Sequence, residues 1–216
     1  MDFSKQGRSK RVIEIFTILD REYPDARPHL EYRSAFELLV ATVLAAQCTD
    51  EMVNKVTPEL FRRYPDPAGL AEADPTTLEG MIKSTGFYRN KTKSLMNMAG
   101  TLQDRFDGRL PETVEGLVQL PGVGRKTANV VAGNCYGTPA IIVDTHFKRV
   151  IGRLELSDET NPDKIEFSMW DLVPEANRTC FSLVVNEHGR RVCSARKPLC
   201  PDCSITVLCP FPDKTA

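Results

Sequence analysis

The segment at residues 120–128, Leu-Pro-Gly-Val-Gly-Arg-Lys-Thr-Ala, constrains the fold of this chain more than any other. A short amphipathic stretch precedes it and an apolar helical stretch follows it, so two helices must meet here in a tight turn. Gly122 and Gly124 permit such a turn and also let a foreign backbone come close. The N–H groups of the turn and the positive end of the second helix together suit a phosphate. The pattern therefore predicts a helix-hairpin-helix that contacts a nucleic-acid backbone without reading its sequence.

Other glycine motifs fit this segment less well. An ordinary helix–helix turn is the simplest alternative for a bare Gly-x-Gly, but the full string between two helices favours the hairpin. The segment lacks the spacing that a nucleotide-binding P-loop places before Gly-Lys-Ser/Thr. No strand leads into it, which excludes the dinucleotide-binding fingerprint.

Two chemically active side chains accompany the predicted hairpin. Lys126 falls in the first turn of the second helix, where the positive helix end disfavours a protonated amine. Such a lysine is either a nucleophile that forms a Schiff base or a phosphate ligand, and the sequence alone leaves both open. Asp144 follows an apolar connector and starts the next helix, so we expect it to cap that helix. It would also face a developing positive charge if the fold brings it to Lys126.

Four of the seven cysteines fall in the last 24 residues. Cys193, Cys200, Cys203 and Cys209 have the spacing C-x6-C-x2-C-x5-C. Thiolates in such a cluster hold zinc or an iron–sulfur cluster, and one tight pair with two outlying cysteines favours [4Fe-4S] over zinc. The other three cysteines fall in apolar helical stretches, where we expect buried thiols: Cys48, Cys135 and Cys180.

Hydrophobic periodicity predicts helices along most of the chain. The predicted helices span residues 34–44, 51–64, 75–84, 90–106, 111–120, 127–136, 145–156, 162–173 and 179–187. No segment alternates over a hairpin turn, and residues 140–143 are interpreted as a buried connector instead of a strand. We therefore predict an all-α fold.

Composition narrows the class of protein. The chain has 216 residues, with 28 Lys and Arg against 29 Asp and Glu and a net charge of −1. This balance excludes a uniformly basic nucleic-acid binder, but not an enzyme with one basic surface. The longest apolar stretch is too short to span a bilayer, and the charged N-terminal residues do not resemble a secretory signal. We therefore expect a cytoplasmic protein without a membrane partner.

Taken together, these residues resemble the endonuclease III family of helix-hairpin-helix DNA glycosylase/lyases. The resemblance covers roughly residues 30–210 and is carried by residues 46–50 (Ala-Gln-Cys-Thr-Asp), 86–88 (Gly-Phe-Tyr), 120–131, 143–146 (Val-Asp-Thr-His), 195–198 (Ala-Arg-Lys-Pro) and the cysteine tail. It implies two helical domains with a DNA cleft between them. One is a six-helix bundle at 28–138 that holds the hairpin. The other is a discontinuous [4Fe-4S] domain made of residues 1–27 and 139–216.

The resemblance also implies an activity. The family excises oxidised pyrimidines from damaged double-stranded DNA and then nicks the abasic site by Schiff-base β-elimination. Lys126 matches the family's catalytic lysine and Asp144 its catalytic aspartate. The tail matches the cluster ligands Cys193, Cys200, Cys203 and Cys209. A monovalent cation is expected at the hairpin, on the carbonyls of Val118, Leu120 and Val123.

Further residues match family positions that touch DNA. Gln47 and Phe87 align with the residues that fill the gap left by a flipped nucleotide, although a leucine is common where this chain has Phe87. His146 is expected to line the pocket of the damaged base or to support Asp144. The complete set of expected DNA contacts is Gln47, Phe87, Gly122, Val123, Gly124, Arg125, Thr127, Arg149, Arg196 and Lys197.

Three alternatives remain at this point. A monofunctional base glycosylase on the same fold would lack a lysine at position 126, and this chain has one. A catalytically inactive DNA-binding scaffold would have lost Lys126 or Asp144, and both are present. A zinc-stabilised helical module unrelated to DNA would carry zinc on the cysteine tail. The expected protein is a monomer associated with the bacterial nucleoid.

Overall fold

The computed structural model describes residues 2–215 and is all-helical over them, which confirms the predicted fold class. The described residues form eleven α-helices and three short 3₁₀ helices. The α-helices are α1 (Lys5–Glu22), α2 (Ala35–Leu44), α3 (Asp50–Arg63), α4 (Pro67–Ala71), α5 (Pro75–Ile82), α6 (Tyr88–Phe106), α7 (Val114–Leu117), α8 (Arg125–Cys135), α9 (Thr145–Arg153), α10 (Pro162–Trp170) and α11 (Arg178–Arg191). The 3₁₀ helices are Lys83–Thr85, Glu175–Asn177 and Thr206–Leu208.

Local sequence explains where most of these helices begin. Ser34, Asp66 and Asp74 each cap a helix by accepting a hydrogen bond from a backbone N–H in its first turn. The helices α4, α5 and α10 also have proline at the first position, where its missing N–H costs nothing. Aspartate is a favoured N-cap residue, but Asp50 is the first residue of α3 and its neighbour Thr49 is the cap.

Two helices are missing from the sequence prediction. The first, α1, buries Val12, Ile15 and Leu19, which have the spacing of one helical face, so the signal was present in the sequence. The second, α4, has only five residues and packs along α6. A helix that short is not stable by itself, because fixing the backbone of the first turn costs more free energy than its few hydrogen bonds recover. Packing on α6 therefore decides that α4 forms.

The chain divides into two compact units. We call residues 28–138 the hairpin unit, and residues 1–27 together with 139–216 the terminal unit. At the centre of the hairpin unit lies α2, which packs on α3, α6 and α8. Phe36 and residues 38–44 are all buried, as expected for a helix that is apolar nearly all round, and Glu37 is only partly buried.

The terminal unit packs α1 and α9 against α11. Its core is built around Phe181, whose ring meets those of Phe16 and Phe147 edge to face at centroid distances of 6.1 and 6.0 Å. No helix among residues 2–215 has the length and apolar character needed to cross a bilayer.

The connector at residues 140–143 is buried and belongs to no sheet, as predicted. Its backbone N–H groups are satisfied by side chains of α11: Ala140 N donates to Thr179 Oγ1 at 3.2 Å, and Ile142 N donates to Ser182 Oγ at 3.0 Å. A buried N–H needs such an acceptor in the absence of a neighbouring strand. The connector leads directly to Asp144, so these contacts also fix where α9 begins.

Replacing Ser182 by alanine is therefore expected to lower the free energy of unfolding by about 1–3 kcal/mol, because it leaves the buried Ile142 N–H without its acceptor. Urea unfolding followed by circular dichroism measures the change. Ser84→Ala, at an exposed serine, is the control and should change stability little. A Ser182→Ala protein as stable as the wild type would contradict this role of α11.

Candidate active-site residues and cysteine tail

The predicted hairpin turn lies between α7 and α8. Val123 N donates to Leu120 O at 3.1 Å, and Leu120 N donates to Leu117 O at 3.1 Å, so the turn is closed by its own backbone. Leu120 and Val123 are buried and anchor it. Gly122 has φ +78°, and a Cβ added there would lie 2.9 Å from Ser94 Cβ. A side chain at position 122 is therefore excluded both by backbone conformation and by space.

Gly124 has a different role from Gly122. Its φ of −88° suits any residue, and a Cβ added there meets no atom within 4 Å. The turn therefore requires glycine at position 122 but not at position 124. Gly124 is the N-cap of α8 and has no side chain to cap the first turn. Its surface is open, which leaves room for another backbone to approach the N-terminus of α8.

Lys126 is the second residue of α8 and its side chain is exposed. Arg125 and Thr127, on either side, are partly buried. The amine of Lys126 therefore stands in solvent beside the open N-terminus of α8, where a macromolecular substrate can reach it.

Asp144 caps α9, as predicted. Its Oδ1 accepts a hydrogen bond from Phe147 N at 2.7 Å, and the residue is partly buried. Phe147 is fully buried in the terminal unit, so the carboxylate is fixed to a rigid core. Asp144 lies in the terminal unit, whereas Lys126 lies in the hairpin unit.

Gln47 and Phe87 share an uncommon backbone conformation. Gln47 follows α2 with φ 53°, and Phe87 precedes α6 with φ 48°. Such left-handed values are rare for residues other than glycine and mark a position held by its surroundings. Both residues are exposed, and 62% of the Phe87 surface faces solvent. The chain therefore presents two side chains from two tight turns of the hairpin unit.

His146 and Arg149 lie one turn apart on α9 and are in contact. Arg149 Nη2 donates to His146 Nδ1 at 3.1 Å and to Gly189 O at 2.7 Å, and Arg149 Nε donates to Cys193 O at 2.9 Å. Through Nε and Nη2, Arg149 holds the start of the cysteine tail, and a DNA contact by Arg149 stays a prediction. Arg196 and Lys197, by contrast, are exposed in the loop after Cys193.

That loop is held by local hydrogen bonds. Leu199 N donates to Val192 O at 3.0 Å and closes the loop, which we call the basic loop (residues 193–198). Ser194 Oγ donates to Arg196 O at 2.7 Å inside it. The two exposed cations therefore stand on a defined turn.

The four tail cysteines line one cavity of about 400 Å³, counted with its opening to solvent. Val150, Leu154, Leu199 and Ile205 form much of the remaining wall. Across residues 2–215, no three side chains of His, Cys, Asp or Glu are gathered closely enough to hold a single metal ion. Burial raises the pKa of Cys203 to about 11 and also raises the pKa of Cys209. These cysteines therefore become thiolates only if a positively charged partner, such as a metal ion, stabilises the negative charge on their sulfurs.

Cationic side chains lie at this cavity or close to it, and Arg153 is part of its lining. Arg153 Nη1 lies 3.1 Å from Cys193 Sγ and donates to Ser194 O at 2.7 Å, while its guanidinium stacks 4.6 Å from the Phe211 ring centroid. Arg11 is buried, and its Nε and Nη1 find no acceptor among residues 2–215. Burial lowers the pKa of the Arg11 guanidinium, and a negative charge on Cys209 would raise it. A metal centre bound by four thiolates carries net negative charge, which would offset these cations, so the donor set fits a thiolate-bound centre.

Sequence reasoning missed several residues of these sites. Arg153, His188 and Tyr23 support the tail: His188 Nε2 lies 3.6 Å from Cys203 Sγ, and Tyr23 Oη lies 3.2 Å from His188 Nδ1. No local pattern marks them, because the contacts join distant segments. Lys91 carried a readable signal, since it falls in the buried stripe of α6 with Leu95 and Met98. The three cysteines expected to be buried are not: Cys48 and Cys135 are partly exposed, and Cys180 is exposed.

Comparisons with known proteins agree with this geometry. The HhH-GPD superfamily of base excision DNA repair proteins matches residues 40–175. Endonuclease III of Synechocystis sp. is 48% identical over 94% of this chain and 94% of its own length, and that of Escherichia coli is 38% identical over 96% and 98%. A solved endonuclease III–DNA covalent intermediate superimposes with a TM-score of 0.90 at 37% identity, covering 94% of this chain and 96% of that one. The chain belongs to the endonuclease III family within the HhH-GPD superfamily.

Proposed function

We propose that this protein is a bifunctional DNA glycosylase/AP lyase of base excision repair, which removes oxidised pyrimidines from duplex DNA and nicks the resulting abasic site. The observation that carries the proposal is Lys126, an exposed amine at the start of α8 behind a glycine hairpin. The family relationship supports it, because the related endonuclease III has been trapped covalently on DNA.

Lys126 acts as the nucleophile in this proposal. The damaged nucleotide leaves the base stack before its sugar can be reached. The Lys126 amine then attacks C1′, the bond from C1′ to the base breaks, and the base departs with the bonding electrons and takes up a proton. The amine then gives up one proton, the bond from C1′ to the ring oxygen O4′ breaks as O4′ takes up a proton, and a protonated Schiff base between Nζ and C1′ remains. Loss of the C2′ proton then expels the 3′ phosphate oxygen and breaks the strand.

Asp144 assists the first step. Its carboxylate helps to take a proton from the Lys126 amine or stabilises the positive charge that develops on the sugar. The hydrogen bond from Phe147 N fixes the carboxylate without consuming both of its oxygens. His146, two residues after Asp144, lines the pocket of the damaged base or supports Asp144.

DNA is bound by backbone and cationic groups in this proposal. Gly122, Val123 and Gly124 present the hairpin backbone to a phosphate, next to Arg125 and Thr127. Arg196 and Lys197 add two exposed charges on the basic loop. A monovalent cation on the carbonyls of Val118, Leu120 and Val123 would place further positive charge at the turn. Because few phosphates are contacted, we expect a modest salt dependence of binding.

The cysteine tail would hold a [4Fe-4S] cluster through Cys193, Cys200, Cys203 and Cys209. When bound, the cluster supplies iron–thiolate bonds that cross-link the tail. Arg153 and Arg11 would balance its charge, and the basic loop would be held between the first two ligands. The terminal unit is then the cluster domain, and the hairpin unit is the bundle domain. We also place the protein in the cytoplasm, associated with the nucleoid.

Borohydride trapping on abasic duplex DNA tests the proposal. The wild type should form a covalent complex and should also release thymine glycol from a duplex. Excision without trapping would instead identify a monofunctional glycosylase, and binding without either reaction would identify a scaffold.

Replacing Asp144 by asparagine separates its two roles. Asparagine still caps a helix, so the fold should be retained. Loss of the carboxylate is expected to slow base excision by about 10²–10⁴-fold. Single-turnover excision measures the effect. Asp74→Asn is the matched control, because Asp74 caps α5 in the same way through Thr77 N at 2.7 Å. Equal excision rates for Asp144→Asn and Asp74→Asn would contradict a chemical role for Asp144.

A further inference from the structure

Lys91 is a buried lysine without a role in the chemistry described above. It lies in the first turn of α6, and only 6% of its surface is exposed. Its Nζ donates to two backbone carbonyls, Leu44 O and Thr85 O, each at 2.7 Å. Burial lowers the pKa of this ammonium, because a charge inside the hairpin unit loses its hydration. The hydrogen bonds to the two carbonyls offset part of this desolvation penalty.

The two acceptors end two different helices. Leu44 is the last residue of α2, and Thr85 is the last residue of the 3₁₀ helix Lys83–Thr85. Carbonyls at helix C-termini lack an intrahelical partner and carry partial negative charge, which an ammonium satisfies well. Lys91 thus cross-links two segments that are 41 residues apart in sequence, since its donors reach positions 44 and 85.

Each of these segments leads directly to one of the two exposed left-handed residues. Gln47 follows Leu44 by three residues, and Phe87 follows Thr85 by two. In addition, Lys91 N donates to Phe87 O at 3.0 Å. Left-handed conformations of residues other than glycine persist only where the surroundings hold them. The Lys91 ammonium contacts residues that lead into both turns.

We propose that Lys91 is a positioning residue that sets the relative placement of Gln47 and Phe87, so that both enter the gap left by the extruded nucleotide. This inference rests on the proposed function, because it takes these two side chains to fill that gap. Lys91 itself is buried and does not touch DNA. Its effect should therefore be felt in extrusion of a paired nucleotide and not in the chemistry at the sugar.

The test compares extrusion with chemistry in Lys91→Met, which retains the length of the side chain but no donor. Excision of thymine glycol from a fully paired duplex should fall by roughly ten- to a hundredfold, as expected when groups are misplaced by about 1 Å. Borohydride trapping on a preformed abasic site should stay close to the wild-type rate. Lys93→Met, at an exposed lysine of the same helix, is the matched control and should leave both rates unchanged.

A double-mutant cycle separates positioning from general stability. In a Gln47→Ala/Phe87→Ala background, Lys91→Met should slow excision little further, because the side chains it positions are already gone. Lys91→Arg, which keeps a charge and donors, should recover part of the excision rate. If Lys91→Met is poorly folded, Lys91→Gln takes its place in the cycle.

Each outcome bears on one claim. If the wild type neither excises nor traps, the proposed function fails. If Gln47→Ala/Phe87→Ala excises at the wild-type rate, the gap-filling role fails and the inference fails with it. If that double variant is slow and adding Lys91→Met to it slows excision by the full factor seen in the wild-type background, Lys91 is only a structural residue and the inference is overturned. The inference is overturned likewise if Lys91→Met alone slows abasic trapping as much as it slows excision.

Discussion

Replacing Lys126 by glutamine is expected to abolish borohydride trapping on abasic DNA and to slow strand nicking by roughly a thousandfold or more, because it removes the nucleophile of a covalent mechanism. The fold should be unaffected, since Lys126 is exposed and exposed substitutions rarely change stability by more than about 0.5 kcal/mol. Single-turnover nicking and denaturing gels of the trapped complex measure the two effects.

A second substitution at this position separates the nucleophile from a phosphate ligand. Lys126→Arg keeps the positive charge but cannot form the Schiff base, so it should bind abasic DNA and fail to trap. Lys164→Gln is the matched control, because Lys164 is also an exposed lysine in the first turn of a helix, α10. If Lys126→Arg or Lys126→Gln still traps as well as the wild type, another amine is the nucleophile.

Replacing Cys203 by serine is expected to remove iron from the purified protein together with its visible charge-transfer absorption. Cys203 belongs to the tight Cys200–Cys203 pair, and burial holds the pKa of its thiol at about 11 until a metal stabilises the thiolate. Because ligand binding and folding are coupled in such sites, the tail and the basic loop should lose order, and stability should fall by several kcal/mol. Iron analysis, absorption spectra and protease sensitivity of residues 193–209 measure this result.

The matched control is Cys180→Ser, which removes a thiol that is exposed and lies outside the tail. It should retain iron, colour and protease resistance. A colourless wild-type protein with one zinc per chain would contradict the [4Fe-4S] assignment. Full iron content in Cys203→Ser would show that Cys203 is not a ligand.

The position of the hairpin turn and the capping role of Asp144 could be predicted from sequence, because both depend on residues that are close together in the chain. A left-handed turn needs glycine at position 122, and an aspartate at the junction of an apolar connector and a helix is an N-cap. The determinants of α1 are local as well, because Val12, Ile15 and Leu19 have the spacing of one helical face. Those of α4 are not, because packing on α6 decides whether its single turn forms.

The roles of Arg149 and Lys91 could not be predicted in the same way. Arg149 is a cation next to candidate site residues, and in the sequence it is indistinguishable from a phosphate ligand. Only the folded terminal unit shows that Gly189 O, Cys193 O and His146 Nδ1 take its donors. Lys91 could be recognised as a charge in an apolar stripe, but its acceptors lie 47 and 6 residues away in the chain.

The sequence by itself determined that the chain is helical, that a glycine hairpin precedes Lys126, that Asp144 caps a helix, and that four cysteines end the chain as a group. These features depend on residues close to one another in the chain, where backbone conformation and helix capping act. The tertiary structure alone decided which buried polar groups face each other: Ser182 with the connector, Arg153 with Cys193, and Lys91 with two helix ends. The reason is physical, since a buried donor must find an acceptor wherever the fold places one, at any distance along the chain.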